Sequence, residues 1–255
     1  GIRTIDNDGV TFQSHLDGSQ HRFTPERVID LQRTFRSDIM MPLDICTAFP
    51  ASKEKTADDM AITTRWEQQA HDYWAQDTRD QLLFGLVQGG MYDDLRTEHA
   101  DTMCNMDFSG YAIGGVSVGE PPEEMARITA FTAPLLPEDK PRYLMGVGLP
   151  ENMRMAIAAG VDMFDCVAPT RLARHGHVFS SNGKLNIRNQ QFQDDTSALD
   201  PLCHCYTCQH FSRAYLRHLF IAKEILATTL LSLHNLYFLI DLVQTIRQEI
   251  LNDQF

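Results

Sequence analysis

The sequence lacks an uninterrupted apolar run near the roughly 20 residues that a membrane-spanning helix requires. It also has few cysteines, six in all, and Cys46, Cys104 and Cys166 are scattered without the spacing of a disulfide framework. Its first residues do not show the charged and then apolar pattern of a signal peptide. These absences predict a cytoplasmic protein with reduced cysteines and no membrane association.

Positive charge is also scarce, and the formal net charge is -12. Taken alone, this excess of acidic residues argues against a nucleic-acid partner. Residues 171–188 are an exception, because they contain Arg171, Arg174, Lys184 and Arg188 and no acidic residue. Such a local basic patch can bind a phosphate backbone even on an acidic protein. The alternative is a solvated loop.

Half of the cysteines lie in one short run, Cys203, Cys205 and Cys208, and His234 follows in a helical-looking segment. Three thiols and an imidazole form the tetrahedral nitrogen and sulfur set that suits zinc. Because the protein would fill all four ligand positions, no position is left for a catalytic water, and the zinc would be structural. The alternative is three free cysteines and an unrelated histidine.

Short apolar segments alternate five times with helical patterns. The predicted strands are residues 38–44, 82–88, 111–115, 142–148 and 161–167, and the predicted helices lie near 57–75, 92–103, 122–133 and 150–159. This alternation predicts a parallel sheet. A (β/α)8 barrel and a doubly wound open sheet both fit, and the order of elements does not separate them.

Two further segments have clear local signals. Residues 9–23 alternate around Asp17-Gly18 and predict a β-hairpin, and Thr24-Pro25 predicts the start of a helix. Residues 176–188 predict a second hairpin with a type I′ turn at Asn182-Gly183.

The unusual residues fall at the carboxyl ends of the predicted strands: Asp44, Gln88, Gly115, Gly146 and Asp165. Both candidate architectures bind their ligands at this edge of the sheet. Asp165 could act there as a nucleophile, a general base or a metal ligand. The alternative for each aspartate is a cap on the following helix.

Two carboxylates on one edge suit the cleavage and re-formation of a glycosidic bond, and Asp44 provides the second. Gln88 and the backbone of Gly114 and Gly115 offer paired donors and acceptors for a planar, amide-like ligand. Asp44 could hold the N–H groups of such a ligand.

The patterns predict three regions: residues 1–200 as a partial barrel that includes the hairpin at 176–188, residues 201–236 as a zinc-binding subdomain, and residues 237–255 as a C-terminal helix. The chain begins with Gly1 instead of methionine and contains about five of the eight βα units of a closed barrel. We therefore expect it to be a piece of a longer chain that lacks its N-terminal part.

Several runs resemble the tRNA-guanine transglycosylases in their bacterial form. The matching runs are residues 86–90, 111–115, 118–120, 141–148, 161–171 and 199–208, together with His234-Asn235. The resemblance spans nearly the whole chain in register. It implies a (β/α)8 barrel with an inserted zinc-binding subdomain near the C-terminus, acting as a homodimer.

The resemblance also implies a reaction, in which Asp165 attacks C1′ of the wobble guanosine in a tRNA anticodon loop. Guanine leaves, a covalent enzyme–RNA intermediate forms, and a 7-deazaguanine base replaces guanine in queuosine biosynthesis. By this resemblance the base site comprises Asp44, Cys46, Gln88, Gly114, Gly115, Glu120 and Met145. Arg171 and Arg174 would contact RNA, and Cys203, Cys205, Cys208 and His234 would hold the zinc.

The chain departs from the family pattern at Ile45, where glutamate is expected, and at Leu149, where lysine is expected. The family's other catalytic aspartate belongs to an upstream Ser-Gly-Gly-containing stretch that this chain lacks. Two other functions fit part of the pattern. One is a non-catalytic partner subunit that binds tRNA or a catalytic subunit. The other is a zinc-stabilised barrel hydrolase acting on nucleosides, which the basic stretch disfavours.

Overall fold

A computed structural model describes residues 3–255. It opens with a three-stranded antiparallel sheet of β1 (Arg3–Asp6), β2 (Gly9–Gln13) and β3 (Gln20–Phe23), in that order. The hairpin predicted at residues 9–23 is confirmed, and β1 adds a strand to it. Helix α1 (Pro25–Phe35) begins as predicted, since the Thr24 side chain accepts the N–H of Arg27 at 3.2 Å.

Five parallel strands follow, and an α-helix separates each strand from the next. They are β4 (Ile39–Met40), α2 (Lys53–Ala75), β5 (Leu82–Val87), α3 (Asp93–Asn105), β6 (Gly110–Ile113), α4 (Pro122–Thr132), β7 (Arg142–Leu144), α5 (Pro150–Ala158) and β8 (Met163–Phe164). The spatial order is β4-β5-β6-β7-β8, and every neighbouring pair is parallel. A doubly wound sheet reverses its strand order at a switch point. The unbroken order is instead that of a curled half-barrel.

The chain divides into two compact units. The first reaches residue 147 and includes residues 155–164, and the second comprises residues 148–154 and 165–255. In the first unit, glycines on neighbouring strands make room for aromatic rings. A Cβ at Gly110 would lie 2.6 Å from the ring of Phe84, its partner in the strand register. A Cβ at Gly85 would lie 2.6 Å from the ring of Phe108.

The second unit is mostly helical. Its elements are α6 (Ala168–Arg174), β9 (His177–Val178), β10 (Leu185–Asn186), α7 (Tyr206–His210), α8 (Arg213–Ile221) and α9 (Ile225–Leu251). Strands β9 and β10 pair antiparallel, which confirms the second hairpin. The predicted type I′ turn is wrong, because the Gly183 N–H bonds to the Ser180 carbonyl and makes Ser181 and Asn182 the central residues. Neither has the positive φ that a type I′ turn requires.

Helix α9 is continuous through residue 236, where the sequence patterns placed the end of the zinc subdomain. Within the described part of the chain it is the one helix long and apolar enough to cross a membrane, with a mean hydropathy of 1.5. Its apolar stretch is not uninterrupted, because His234, Asn235 and Asp241 lie within the helix. Core helices of globular proteins can have the same length and composition. In α9, 28% of the most apolar stretch is buried, and the polar side chains of His234 and Asn235 are fully buried.

Candidate functional site

The predicted site residues of the first unit lie just beyond the paired ends of its strands. Strands β4 and β7 end at Met40 and Leu144, so the predicted segments 38–44 and 142–148 are strand for only part of their length. The remaining residues form corners at the carboxyl edge of the sheet. The structure brings four of these predicted residues together: Asp44, Gln88, Gly114 and Gly115.

A hydrogen bond joins the side chains of Gln88 and Asp44, with Gln88 Nε2 donating to Asp44 Oδ2 at 2.7 Å. Gln88 is 3% exposed and packs against the corner after β6. A Cβ at Gly114 would lie 2.7 Å from Gln88 Nε2, and one at Gly115 would lie 2.5 Å from Gln88 Oε1. Gly115 also has a φ of +64°, so glycine is required there for conformation and for space.

The electrostatic environment of the Asp44 carboxyl suits the binding of a ligand with N–H donors. Burial raises the pKa of this half-buried carboxyl, and the hydrogen bond from Gln88 lowers it in part. The carboxylate therefore takes up a proton at a higher pH than an ordinary aspartate. A ligand with N–H donors would stabilise its charged form.

The other predicted base-site residues have different surroundings. Burial raises the pKa of the Cys46 thiol, Asp44 adds to the increase, and the Gly115 backbone N–H opposes it. Glu120 accepts the backbone N–H groups of Ser117 and Val118 and thereby holds its own loop. Met145 is half-buried, and its N–H bonds to the Ile113 carbonyl at 3.4 Å.

A cavity of about 220 Å³ opens beside this corner. Of the predicted base-site residues, Gly115 lines it, while Asp44 and Gln88 do not. The rest of its lining comes from residues 47–51, Thr56, Gly90, Met91, Tyr92 and Val118. The cavity is therefore adjacent to the Asp44–Gln88 pair.

Sequence reasoning missed the buried polar residues behind this edge. His99 Nδ1 accepts the Gln88 backbone N–H at 2.8 Å, and His99 Nε2 lies 3.0 Å from Thr64 Oγ1. Burial lowers the pKa of His99 to about 3, and the positive charge of Arg96 adds to this effect. The imidazole is therefore neutral. The lone pair on Nδ1 accepts the Gln88 backbone N–H and so holds the backbone of Gln88 in place.

Glu67, on α2, holds the end of strand β5 through the backbone of Leu86. Its two carboxyl oxygens lie 3.2 and 3.1 Å from the Leu86 backbone N, and burial raises its pKa well above the ordinary value. Its signal in the sequence was weak, because a glutamate in a helix is ordinarily solvated. The same is true of His99 and Arg96.

The remaining predicted residues belong to the second unit. Asp165 is exposed and comes directly after β8 in the chain. Arg171 and Arg174 are exposed in the last turn of α6, where positive charge is favourable next to the helix C-terminus.

The cysteines and the histidine predicted to bind metal do come together. Their ligand atoms all lie within 4.8 Å of one another. His234 Nδ1 is 3.7 Å from the Cys203 sulfur, 3.5 Å from that of Cys205 and 3.2 Å from that of Cys208. Tetrahedral zinc with ordinary bond lengths places its nitrogen and sulfur ligands about 3.5 Å apart. The donor set and its spacing therefore fit a zinc ion.

The surroundings of His234 complete this fit. His234 Nε2 lies 2.8 Å from the Phe179 carbonyl, which accepts the Nε2 proton and leaves Nδ1 free to bind a metal. Hydrogen bonding from Cys208 lowers the pKa of the Cys205 thiol to about 3, while the pKa of Cys208 itself rises. A divalent cation would remove this competition for protons, because it binds all the sulfurs as thiolates.

The fold and the two clusters together define an α/β protein with a half-barrel sheet, a polar carboxyl edge and a Cys3His metal-binding set. Comparison with known proteins identifies its family. A family model described as queuine tRNA-ribosyltransferase matches residues 1–255. The chain belongs to this family.

Two curated relatives, both named queuine tRNA-ribosyltransferase, illustrate the match. The protein from Nitratidesulfovibrio vulgaris is 52% identical over 255 residues, which cover 100% of this chain and 68% of the relative. The protein from Caldanaerobacter subterraneus is 54% identical over 256 residues, which cover 99% of this chain and 67% of the relative.

Loss of the metal is expected to destabilise the second unit. If metal at about 1,000 times its Kd binds only the folded state, its removal costs about 4 kcal/mol of unfolding free energy. Chelation, or Cys205→Ala, should lower the unfolding midpoint, and added Zn²⁺ should restore the wild-type chain but not the variant. Cys104→Ala, a cysteine of α3 outside the cluster, is the control. Unchanged melting after metal analysis shows complete removal would contradict a structural zinc.

Proposed function

We propose that the protein is a tRNA-guanine transglycosylase, which exchanges the wobble guanine of a tRNA anticodon for a 7-deazaguanine base. The observation that carries this proposal is the Asp44–Gln88 pair held against the Gly114–Gly115 corner, in a chain of the queuine tRNA-ribosyltransferase family. Guanine and 7-deazaguanine share one hydrogen-bonding edge, with adjacent N–H donors and a carbonyl acceptor. The corner offers the complementary set.

Each group at the corner has a role in this proposal. Asp44 accepts N–H groups of the base, Gln88 donates its amide N–H, and the backbone N–H of Gly115 donates to the base carbonyl. Cys46 and Met145 contact the faces of the ring, and Glu120 shapes the loop that closes the pocket. Because these polar groups are partly desolvated, a base that lacks one of the matching donors leaves a buried group unpaired.

Asp165 is the nucleophile of the proposed reaction. Its carboxylate oxygen attacks C1′ of the wobble ribose, and the bond from C1′ to N9 breaks as guanine departs with the electron pair. The resulting ester joins the RNA to Asp165. The incoming base then attacks C1′ through N9, displaces the carboxylate and restores the enzyme. Proton transfer to and from the bases falls to the family's second aspartate, which lies outside residues 1–255.

The other features support this reaction without taking part in it. Arg171 and Arg174 bind phosphates of the anticodon loop. Cys203, Cys205, Cys208 and His234 hold a structural zinc that stabilises the second unit, residues 201–236 forming its zinc-binding subdomain. In this proposal the complete protein is a cytoplasmic homodimer with a closed (β/α)8 barrel.

The decisive test is the exchange of labelled guanine into tRNA by the protein at its full natural length. Wild-type protein should incorporate label, and Asp165→Ala should reduce the rate by at least about 10³-fold, because the covalent path is lost. Asp194→Ala, which removes an exposed carboxylate of the same unit, should leave the rate unchanged. Wild-type protein that binds tRNA without exchanging guanine would instead be a non-catalytic partner subunit.

The pKa of Asp44 predicts a pH dependence of base binding. Only the ionised carboxylate accepts both N–H groups, and its pKa lies above the ordinary 3.8. As the pH falls through this raised value, the Kd for guanine should increase, up to about tenfold for each further pH unit. Asp44→Asn should bind guanine weakly with a flat profile. A wild-type Kd that stays constant from pH 7 to pH 4 would show that the Asp44 carboxylate does not hold the base.

Arg174 is expected to contribute one phosphate contact. Arg174→Ala should weaken tRNA binding and reduce the slope of log K against log salt by about 0.7 to 0.9. Arg247→Ala, on an exposed position of α9, is the matched control and should leave the slope unchanged. An equal slope for wild type and Arg174→Ala would place the RNA on another surface.

A further inference from the structure

Arg96 is a fully buried cation behind the base-binding corner. It lies on α3, on the face that also carries the buried side chains of His99 and Met103. Among residues 3–255 no carboxylate forms an ion pair with it within 4.0 Å. A buried charge without an ion-pair partner is expensive, so its retention requires strong compensation from hydrogen bonds.

That compensation comes from backbone carbonyls on two neighbouring corners, and the negative charge of Glu120 adds to it. Nε donates to the Gly90 carbonyl at 2.9 Å, and Nη1 donates to Val87 at 2.9 Å and to Gly114 at 2.8 Å. Nη2 reaches the Gly115 carbonyl at 3.4 Å. One planar guanidinium thus joins the chain after β5 to the chain after β6.

These bonds determine where the opposite side of each peptide points. In a trans peptide the C=O and N–H groups point in opposite directions. Because the Gly114 and Gly115 carbonyls face Arg96, the N–H groups of Gly115 and Val116 face away from it. The Gly115 N–H is directed toward the Cys46 thiol, where it lowers the pKa of that group against the larger effect of burial.

The glycines of both corners make this arrangement possible. A Cβ at Gly89, where φ is +130°, would lie 2.8 Å from the Arg96 backbone N. A Cβ at Gly115 would lie 3.4 Å from Arg96 Nη2. The two corners therefore approach α3 and the guanidinium more closely than residues with side chains allow.

We propose that Arg96 is a positioning residue for base recognition, which holds the carbonyls of the Gly114–Gly115 corner and thereby fixes the Gly115 N–H on the side of the corner where Cys46 and the base site lie. This inference rests on the proposed function and adds a residue that does not itself touch the base. Burial lowers the pKa of Arg96 to about 10, so the guanidinium remains charged at neutral pH. Its charge polarises the peptides that it binds and strengthens their N–H groups as donors.

A merely structural role is the competing explanation, and Arg142 provides a matched control for it. Arg142 is also buried, at 9% exposure, and also donates to carbonyls, those of Leu136, Pro137 and Gly160. It lies at the first residue of β7, at the opposite end of its strand from the corner. Loss of Arg142 should destabilise the first unit without changing the base site.

The test compares Arg96→Met, Arg96→Lys and Arg142→Met in the protein at its full natural length. Guanine Kd and the kcat and KM of guanine exchange are measured, and hydrogen exchange is followed by mass spectrometry over residues 110–118. Arg96→Met should weaken guanine binding about tenfold, the value of one well-placed hydrogen bond. The effect should fall on KM for guanine and not on KM for tRNA.

Arg96→Lys keeps the charge but not the planar fork, so it should recover part of the affinity. Amide exchange at residues 110–118 should be faster in Arg96→Met than in Arg142→Met. Folded Arg96→Met with wild-type guanine affinity would overturn the inference, and if that variant does not fold, wild-type affinity in Arg96→Lys would do so. Wild-type protein that does not bind guanine would refute the proposed function, and unchanged amide exchange in Arg96→Met would then separately refute the role of Arg96.

Discussion

The carbonyl groups at the ends of parallel strands impose the main constraint on this protein. Within a strand they bond to the neighbouring strand, but beyond Val87 and Ile113 the chains turn away and the ladder stops. Buried carbonyls without donors would cost more than the fold can tolerate. Arg96 meets this requirement from α3 by donating to the Gly90 and Gly114 carbonyls. His99 and Glu67 accept the backbone N–H groups of Gln88 and Leu86. The edge of the sheet is therefore rigid before any ligand arrives.

Rigidity at this edge has a consequence for selectivity. With no base bound, Asp44 and the amide of Gln88 satisfy each other through one hydrogen bond. That bond uses one of the two N–H groups of the amide and one oxygen of the carboxylate, so a base that enters has to bring donors for the remaining carboxylate lone pairs and an acceptor for the second amide N–H. A ligand with only one of these functions leaves the remaining hydrogen-bonding capacity of the other group unused in a partly desolvated site. Discrimination thus follows from the polar pair itself, in addition to the shape of the pocket.

In the second unit, a different set of side chains satisfies the buried backbone groups. Asn235 is fully buried, donates to the carbonyls of Pro169 and His177, and accepts the N–H of Phe179. Its neighbour His234 binds the Phe179 carbonyl and presents its other nitrogen to the cysteines. One turn of α9 therefore connects α6, the hairpin and the metal-binding set. Loss of a metal from that set would therefore also destabilise the hairpin, because His234 contacts both.

The sequence was informative wherever the physical signal was local. Strand and helix alternation, the Thr24 cap and the run of three cysteines each depend on residues close in the chain, and each prediction was confirmed in placement. The turn of the second hairpin was predicted wrongly, because two registers are possible around Asn-Gly and Ser180 selects the one in which Ser181 and Asn182 are central. Arg96 could not be predicted at all. A helical arginine is ordinarily solvated, and only the close approach of two glycine corners, distant from each other in sequence, makes this one the buried link between them.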